Sequence, residues 1–500
     1  MRPGVSTILV WVWGIDMVAC YRVATGILVV LAVSAASAAV ESPLEFDSSQ
    51  GKLNECFAWA KGQAMAYAHA SDPVGPWYEA ALPGREAFCM RDVSHQAMGA
   101  HALGLGETTR NMLRKFAVNI SESKDWCSFW EINRYDKPAP VDYRSDEDFW
   151  YNLPANFDVL DACWRMYLWS HDRTYLNDPA FVTFYRRTVR DYVDRWALGL
   201  DTLLERERFM NGPAGAEPVG RRGIPSYHEG DPGRTRIGVD LPAYQVAAYR
   251  SYAQILKLKG DEAGARRFEK KAEAAGRFIE AHFWDAANDR FHELLRTDGR
   301  YVTGGAMQVY LLYNDALPSA DKAQKTMRNV IDGARINIEM GSHYPEVFYR
   351  YGAHEEAYRW LLALSDPNTK RREYPEVSFA VVGAMVNGLM GIEPSANEGE
   401  VATLSRLTDQ VAWAQLRHLP IHGCRIDVRH DGRTETTLSN RSNEPVIWIA
   451  RFYGSAGELR ADGRSVPVHC GADPAGRPYL WTTVRVAPSR SVTIHATVSQ

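Results

Sequence analysis

The sequence predicts an all-α (α/α)6 barrel, a ring of six helical hairpins, followed by a small C-terminal antiparallel β-sandwich domain. The first observation is that most of the chain reads as twelve segments with helical periodicity. The second is that these segments alternate between two polarities, and the third is a change to strand-like alternation after Pro394. A chain of 500 residues also exceeds what one hydrophobic core usually serves, so we expect two domains.

The twelve predicted helices are separated by Gly, Pro and Asp residues, which start or end helices. In chain order they cover residues 51–70, 90–104, 108–120, 155–170, 179–200, 240–258, 261–283, 304–317, 320–333, 345–352, 354–365 and 375–391. Odd-numbered helices carry charges on one face, whereas even-numbered helices are rich in Ala, Gly, Met, Val and aromatic residues. Because a helix that is apolar all round is buried, the even-numbered helices are predicted to form an inner ring. An open helical solenoid is the alternative, but the irregular period shows no repeat consensus.

The C-terminal region has the pattern of a β-domain. Segments such as EPVIWIARFYG and RSVTIHATV alternate apolar and polar residues between Gly, Asn, Pro and Asp. We therefore predict a barrel over residues 40–400 and a sandwich over residues 401–500.

The N-terminus has the order of a secretory signal peptide, which we predict over residues 1–39. Arg22 precedes a short apolar run from Ile27 to Val33, and small residues follow at Ala36 and Ala38. A membrane anchor is the alternative, but the apolar run is short and no other segment reads as a membrane span. A secreted or periplasmic protein is expected.

Cysteine usage and charge narrow the classes of function. Six cysteines remain after residue 39, and Cys424 and Cys470 are the pair we expect to form a disulfide. The net charge is −4 and there is no long basic run, so nucleic-acid binding is not expected. The sequence shows no motif for a metal or another cofactor, and it leaves the oligomeric state open.

The loops that lead into the inner helices carry the residues that could bind a substrate or take part in catalysis. In a ring of hairpins these loops open on one face, where aromatic planes can stack on sugar rings and charged groups can bind hydroxyls. Two carboxylates that flank a scissile bond are the minimum apparatus of a glycosidase. The candidate residues are Arg91, Asp92, His95, Trp130, Glu131, Asp158, Tyr227, His228, Glu229, His343, Glu346, Glu373, Tyr374 and Glu376.

Three motifs resemble those of the six-hairpin glycosidases, the group that includes glucoamylases and bacterial α-L-rhamnosidases. They are CMRDVSHQAMGAHAL, PSYHEGD and REYPEVSFAVVGAMVNGLMGIEP, and the resemblance covers about residues 50–395. It implies that Asp92, with Arg91 beside it, binds sugar hydroxyls and that Glu229 is the general acid. It also implies that Glu376 or Glu373 is the general base. The motifs depart from both named groups around the acid and the base, so the resemblance implies no particular sugar.

Local sequence leaves the roles of the carboxyl groups open. Glu376 follows Pro375, so it lies in a first helical turn, where the helix dipole favours the charged form that a base needs. Glu346 has the same setting, because the tetrad Tyr-Pro-Glu-Val occurs twice. Both copies are expected to point their side chains, Tyr344, Glu346, Tyr374 and Glu376, towards the same opening of the central cavity.

The acid is the less settled of the two roles. Four arginines near Glu229 would lower its pKa if they pointed at it, and Asp231 would raise it. They are Arg221, Arg222, Arg234 and Arg236. These arginines could instead bind the carboxylate of a uronic acid. Glu131, among aromatic residues, is the rival acid.

The function expected is therefore an exported glycoside hydrolase that cleaves an oligo- or polysaccharide with two carboxyl groups, with inversion. A polysaccharide lyase that acts on uronic-acid glycans by β-elimination is the alternative. Its residues would be Tyr227, His228, His95 and Asn156. A third hypothesis is a glycan-binding protein without catalysis.

Overall fold

The computed structural model describes residues 41–207, 222–230, 234–304, 307–333, 337–397 and 399–499. The predicted signal peptide therefore lies outside the described residues, as do Arg221 and Asp231. Twelve helices in the described chain correspond to the twelve predicted ones. They are α1 (Gly51–Ala66), α2 (Met90–Ala102), α3 (Gly106–Val118), α4 (Ala155–Ser170), α5 (Pro179–Arg187), α6 (Asp240–Leu258), α7 (Glu262–His282), α8 (Val309–Tyr313), α9 (Ala320–Gly333), α10 (Tyr344–Arg350), α11 (His354–Ser365) and α12 (Pro375–Gly383).

Two of these helices continue beyond their α-helical part. Helix α5 runs on through a π-helical turn, Thr188–Tyr192, and Val193–Arg195. Helix α12 runs on through a second π-helical segment, Ala384–Leu389. Among the described residues, no helix is both long and apolar enough to cross a membrane.

The even-numbered helices pack in a closed cycle. Helix α2 contacts α4, α4 contacts α6, α6 contacts α8, α8 contacts α10, α10 contacts α12 and its continuation, and α12 contacts α2. Each odd-numbered helix contacts a neighbouring even-numbered one, and α5 does so through its π-helical turn, which contacts α4. The contact between α2 and α12 is close because Gly99 faces the backbone of Phe379, where a Cβ would lie 2.0 Å from the carbonyl oxygen.

Two sheets form the C-terminal region. Their strands are β1 (Glu45–Ser48), β2 (Ile392–Pro394), β3 (Glu400–Leu404), β4 (Trp413–Ile421), β5 (Cys424–Asp431), β6 (Glu435–Asn440), β7 (Val446–Tyr453), β8 (Ala456–Ala461), β9 (Arg464–Val466), β10 (His469–Ala472), β11 (Pro478–Val486) and β12 (Ser491–Ser499). The larger sheet has the order β1-β4-β5-β6-β12-β8-β9, and the smaller has the order β2-β3-β7-β11-β10.

The sheets differ from the prediction in three respects. Strand β3 pairs with β7 in parallel, so the region is not wholly antiparallel. Strand β1 comes from the N-terminal side of the helices and pairs with β4, with Glu45 opposite Arg417. The predicted disulfide is wrong: Cys424 is buried in the larger sheet, Cys470 is exposed on the smaller one, and both are free thiols.

Short strand pairs order the loops in front of the inner helices. Ala87–Cys89 pairs with Glu131–Asn133, and Tyr151–Asn152 pairs with Arg222–Ile224. Thr235–Gly238 joins a three-stranded sheet with Leu294–Arg296 and Tyr301–Val302. These pairings fix the loop residues relative to the first turns of the helices that follow.

Candidate active site

A pocket of about 250 Å³ lies at the N-terminal ends of the inner helices. It collects seven of the predicted residues, and three of them are the carboxyl groups with proposed catalytic roles. The lining consists of Ala81, Leu82, Arg85, Cys89, Arg91, Asp92, Trp130, Glu131, Asp142, Trp150, Glu229, Glu339, Tyr374 and Glu376.

Local structure explains why these side chains meet. Arg91 and Asp92 lie in the first turn of α2, directly after the short strand Ala87–Cys89. In the pairing of that strand Cys89 stands opposite Glu131, which brings the carboxyl group of the long loop to the start of α2. Glu376 lies in the first turn of α12 behind Pro375, as predicted, so both helices contribute an acidic residue at the same end of the ring.

Asp92 and Glu376 form a hydrogen-bonded carboxyl pair. Burial raises the pKa of Glu376 well above its usual value, and the neighbouring charge of Asp92 raises it further. Arg91 Nε donates to Asp92 Oδ1 at 3.0 Å and so favours the ionised form of Asp92, although burial still raises the pKa of Asp92. Both shifts favour one proton shared by the two carboxyl groups over two negative charges. Loss of water outweighs the helix dipole, from which a low pKa of Glu376 was expected.

Glu131 and Asp142 form a second carboxyl pair on the opposite wall. Arg85 Nη1 donates to Glu131 Oε1 at 2.6 Å and lies 3.6 Å from Asp142 Oδ2. Burial, and then the charge of Asp142, raises the pKa of Glu131 well above its usual value. Glu131 Oε2 and Asp142 Oδ2 have no other hydrogen-bond partner among the described residues, and a single proton between the two carboxyl groups satisfies both.

Glu229 is the carboxyl group that remains open to solvent in the pocket. The surrounding protein raises its pKa, Arg91 opposes this rise, and Glu339 adds to it. Two of the four arginines expected to lower its pKa bind elsewhere. Arg222 donates to the carbonyl oxygen of Asp146 at 2.9 Å, and Arg236 donates to that of Leu204 at 2.8 Å. They do not line the pocket, so the structure does not support their use for a uronic acid.

Several predicted residues lie beneath the pocket and do not line it. Tyr227 donates from its hydroxyl to Asp158 Oδ2 at 3.0 Å, and both residues are buried. His95 and His343 stack with ring centroids 3.6 Å apart. Burial lowers the pKa of His343 to about 3, so this imidazole is neutral.

Four other candidates also lie outside the lining. His228 is half-buried, and the carbonyl oxygen of Glu373 accepts from Tyr67. Glu346 lines a different cavity, so the two Tyr-Pro-Glu-Val copies do not aim their glutamates at one mouth. Asn156 donates to the carbonyl oxygen of Trp126 at 3.0 Å. Of the residues named for the lyase alternative, none lines the pocket.

Three charged residues of the lining escaped the sequence analysis, namely Arg85, Asp142 and Glu339. Glu339 lies in NIEMGSHYPE, the segment before α10. Position before an inner helix is the signal from which its neighbours His343 and Glu346 were predicted, and the same signal could have found Glu339. Arg85 and Asp142 give no such signal, because neither directly precedes an inner helix.

The charges of the pocket favour a ligand without negative charge. Six carboxyl groups face two guanidinium groups, and two of the six hold shared protons. Even with one shared proton on each pair and one proton on Glu229, the formal charge of the lining remains negative, so an anionic sugar would be repelled. In the described part of the chain, no group of three or more His, Cys, Asp or Glu side chains is arranged to hold a metal ion.

The fold is similar to that of solved α-L-rhamnosidases. The chain aligns with one from Dictyoglumus thermophilum with a TM-score of 0.59 and 14% identity, over 92% of this chain and 51% of that one. A GH78 family rhamnosidase of Bacillus sp. GL1 aligns with a TM-score of 0.53 and 13% identity, over 80% of this chain and 40% of that one. The α-L-rhamnosidase of Streptomyces avermitilis complexed with L-rhamnose aligns with a TM-score of 0.52 and 12% identity, over 91% of this chain and 42% of that one.

These likenesses confirm the predicted resemblance to six-hairpin glycosidases at the level of the fold. The chain spans about half the length of these solved proteins or less. No family model matches the sequence, and no curated protein matches it.

Proposed function

We propose that this protein is an exported glycoside hydrolase whose helices form an (α/α)6 barrel. The observation that carries the proposal is the meeting of Glu229 with the Asp92–Glu376 pair in one pocket at the N-terminal ends of the inner helices. The closed cycle of inner helices supports the barrel, with residues 40–400 as the catalytic domain and 401–500 as the sandwich. Export rests on the N-terminal sequence alone.

Glu229 is the general acid in this proposal. It is accessible to a substrate and its raised pKa keeps a proton on it at a higher pH than usual. As the glycosidic bond breaks, Glu229 gives this proton to the leaving oxygen.

The Asp92–Glu376 pair is the general base. Its single negative charge, stabilised by Arg91, takes a proton from the water molecule that attacks the anomeric carbon. One C–O bond forms and one breaks, and the two carboxyl sites return to their starting state by exchanging one proton with solvent. Attack from the face opposite the leaving group inverts the configuration.

The substrate class is a terminal sugar without negative charge. A pocket of about 250 Å³ is smaller than sites for drug-sized ligands, which start at about 300 Å³, so it suits a single sugar ring. Trp130, Trp150 and Tyr374 supply aromatic surface for that ring. The names of the similar solved proteins make α-L-rhamnosides the first substrates to test.

The experiment compares three glutamine variants on a substrate found by screening aryl glycosides and oligosaccharides. Glu229→Gln and Glu376→Gln should each lower kcat by about 10²–10⁴-fold, because glutamine cannot exchange the proton. Glu373→Gln is the matched control: Glu373 lies three residues from Glu376, does not line the pocket and should leave kcat within about twofold.

Product analysis tests the substrate class in the same experiment. Chromatography of a digested oligosaccharide should show a monosaccharide as the sole early product, and the chain should shorten from one end. Early products of several lengths would contradict the single-sugar pocket. Full activity in both Glu229→Gln and Glu376→Gln would contradict the assignment of the catalytic carboxyl groups.

A further inference from the structure

A second cavity, of about 350 Å³, lies at the other end of the helix cycle against the smaller sheet. It shares no lining residue with the pocket described above. Asn387, which lines it, follows Glu376 by eleven residues along the same continuous helix. At 1.5 Å per residue this separates the two cavities by roughly 16 Å along the helix.

Part of the lining of this second cavity is apolar. The inner helices contribute Met98, Leu168 and Trp169, and the smaller sheet contributes Ile392 and Leu404. Such a surface can cover the apolar face of a sugar ring, as aromatic and aliphatic side chains do in small-molecule sites.

The rest of the lining is largely polar, and its charged side chains form ion pairs. Glu393 accepts from Arg406 at 2.8 Å and from Arg451 at 2.6 Å. Glu346 accepts from Arg350 at 2.8 Å and from Asn387 at 3.2 Å. Four arginines and four acidic residues line the cavity, so their formal charges cancel. Neither an anion nor a cation would find a net opposite charge, whereas hydroxyl groups would find donors and acceptors side by side.

Two polar atoms of the lining residues lack a partner in the described chain. They are Arg406 Nε, a donor, and Asn387 Oδ1, an acceptor. The Arg406 side chain is only 3% exposed, so leaving its donor unpaired costs free energy that a bound hydroxyl group could offset.

We propose that this cavity is a second carbohydrate site and that it binds a neutral monosaccharide. The ring packs on the apolar residues of the lining, and its hydroxyl groups bond to the paired charged groups. The site lies between the inner helices and the smaller sheet, because residues of both line it. The inference does not depend on the proposed catalytic activity, since binding needs no cleavage.

The test is calorimetric titration of the full chain with D-glucose, D-galactose and L-rhamnose. D-glucuronate and D-glucosamine serve as charged comparators. Ala472 lines the cavity and is exposed, so Ala472→Trp should block it without disturbing the core. Ala456→Trp is the matched control: Ala456 is an exposed strand residue that lines neither cavity. Asn387→Ala removes the unpartnered acceptor.

At least one neutral sugar should bind the wild type with a component that Ala472→Trp and Asn387→Ala weaken at least about tenfold. Ala456→Trp should keep that component, and the charged comparators should lack it. Binding in the catalytic pocket would persist in Ala472→Trp, which separates the two sites. The proposal is overturned if no neutral sugar shows such a component, if both cavity variants retain it, or if a charged sugar binds there more tightly.

Discussion

At the scale of single residues, Asp158 is a carboxyl group that the fold keeps neutral. Burial raises its pKa to about 8, and the nearby Arg165 and the hydrogen bond from Tyr227 only partly oppose this. Asp158 was expected to bind substrate, but it lies beneath the pocket and its exposure is 2%. Its effect should therefore be on stability and not on substrate binding.

Replacement of Asp158 by asparagine should stabilise the protein increasingly as the pH rises from about 4 to 8. The folded pKa lies above the unfolded value of 3.8, so wild-type stability falls through this window by up to about 1.4 kcal/mol per pH unit. Asparagine does not titrate and still accepts from Tyr227. Urea unfolding at pH 5 and pH 8 measures the effect.

The two pH values provide an internal control for Asp158→Asn. The difference in unfolding free energy between variant and wild type should be larger at pH 8 than at pH 5. An equal difference at both pH values would mean that Asp158 is ionised in the folded protein.

The sequence could predict those site residues that lie next to the start of an inner helix. Arg91, Asp92, Glu229 and Glu376 precede or start inner helices, and position in the loop was enough to group them. The Asp92–Glu376 pair was not predictable, because it joins two helices that are far apart in sequence. The raised pKa of Glu376 is a case in point: its local helix turn suggests a lowered pKa, and burial against α2 reverses it.

At the scale of elements, the contact of α2 with α12 depends on Gly99. Gly99→Ala should lower the free energy of unfolding by about 3 kcal/mol, because its Cβ would lie 2.0 Å from the carbonyl oxygen of Phe379. Neither backbone can give way without moving an inner helix. Thermal or urea unfolding measures the loss.

Gly62 in α1 is the matched control, since a Cβ there meets nothing within 4 Å. Gly62→Ala should leave stability unchanged or raise it by up to about 1 kcal/mol, through the greater helix propensity of alanine. Equal effects of the two substitutions would show that packing at Gly99 is not tight.

The helices were more predictable than the sheets for a physical reason. Helical periodicity is local, so all twelve segments could be recognised from their own residues. Strand β1 is four residues long and its partner β4 lies more than 360 residues away, which no local pattern reports. The parallel pairing of β3 with β7 is equally nonlocal.

At the scale of the whole molecule, helices and sheets are joined by buried polar contacts. His430 Nε2 bonds with the carbonyl oxygen of Met390 at 2.9 Å. Arg406, which follows β3, donates to the carbonyl oxygens of Asn387 at 2.6 Å and Gly388 at 3.0 Å near the end of the last inner helix, and Glu393 accepts from Arg406 at 2.8 Å. These contacts should couple the unfolding of the two regions.

Heating should therefore produce one calorimetric transition, with far-ultraviolet circular dichroism and tryptophan fluorescence changing together. Glu393→Gln should lower the free energy of unfolding by about 2 kcal/mol at neutral pH, because Arg406 then loses a charged acceptor. Both spectroscopic probes should shift equally. Two separate transitions, or a shift in one probe alone, would show that the regions unfold independently.

The position of β1 also sets the order of events during synthesis. Phe46 of β1 pairs with Leu416, so this strand has no partner until nearly all of the chain has emerged from the ribosome. Helices α2 to α10 can assemble earlier, since their contacts with one another are between neighbours in sequence. Closure of the larger sheet is thus among the last steps of folding. Until then the segment around Glu45–Ser48 stays available to whatever machinery holds or moves the growing chain.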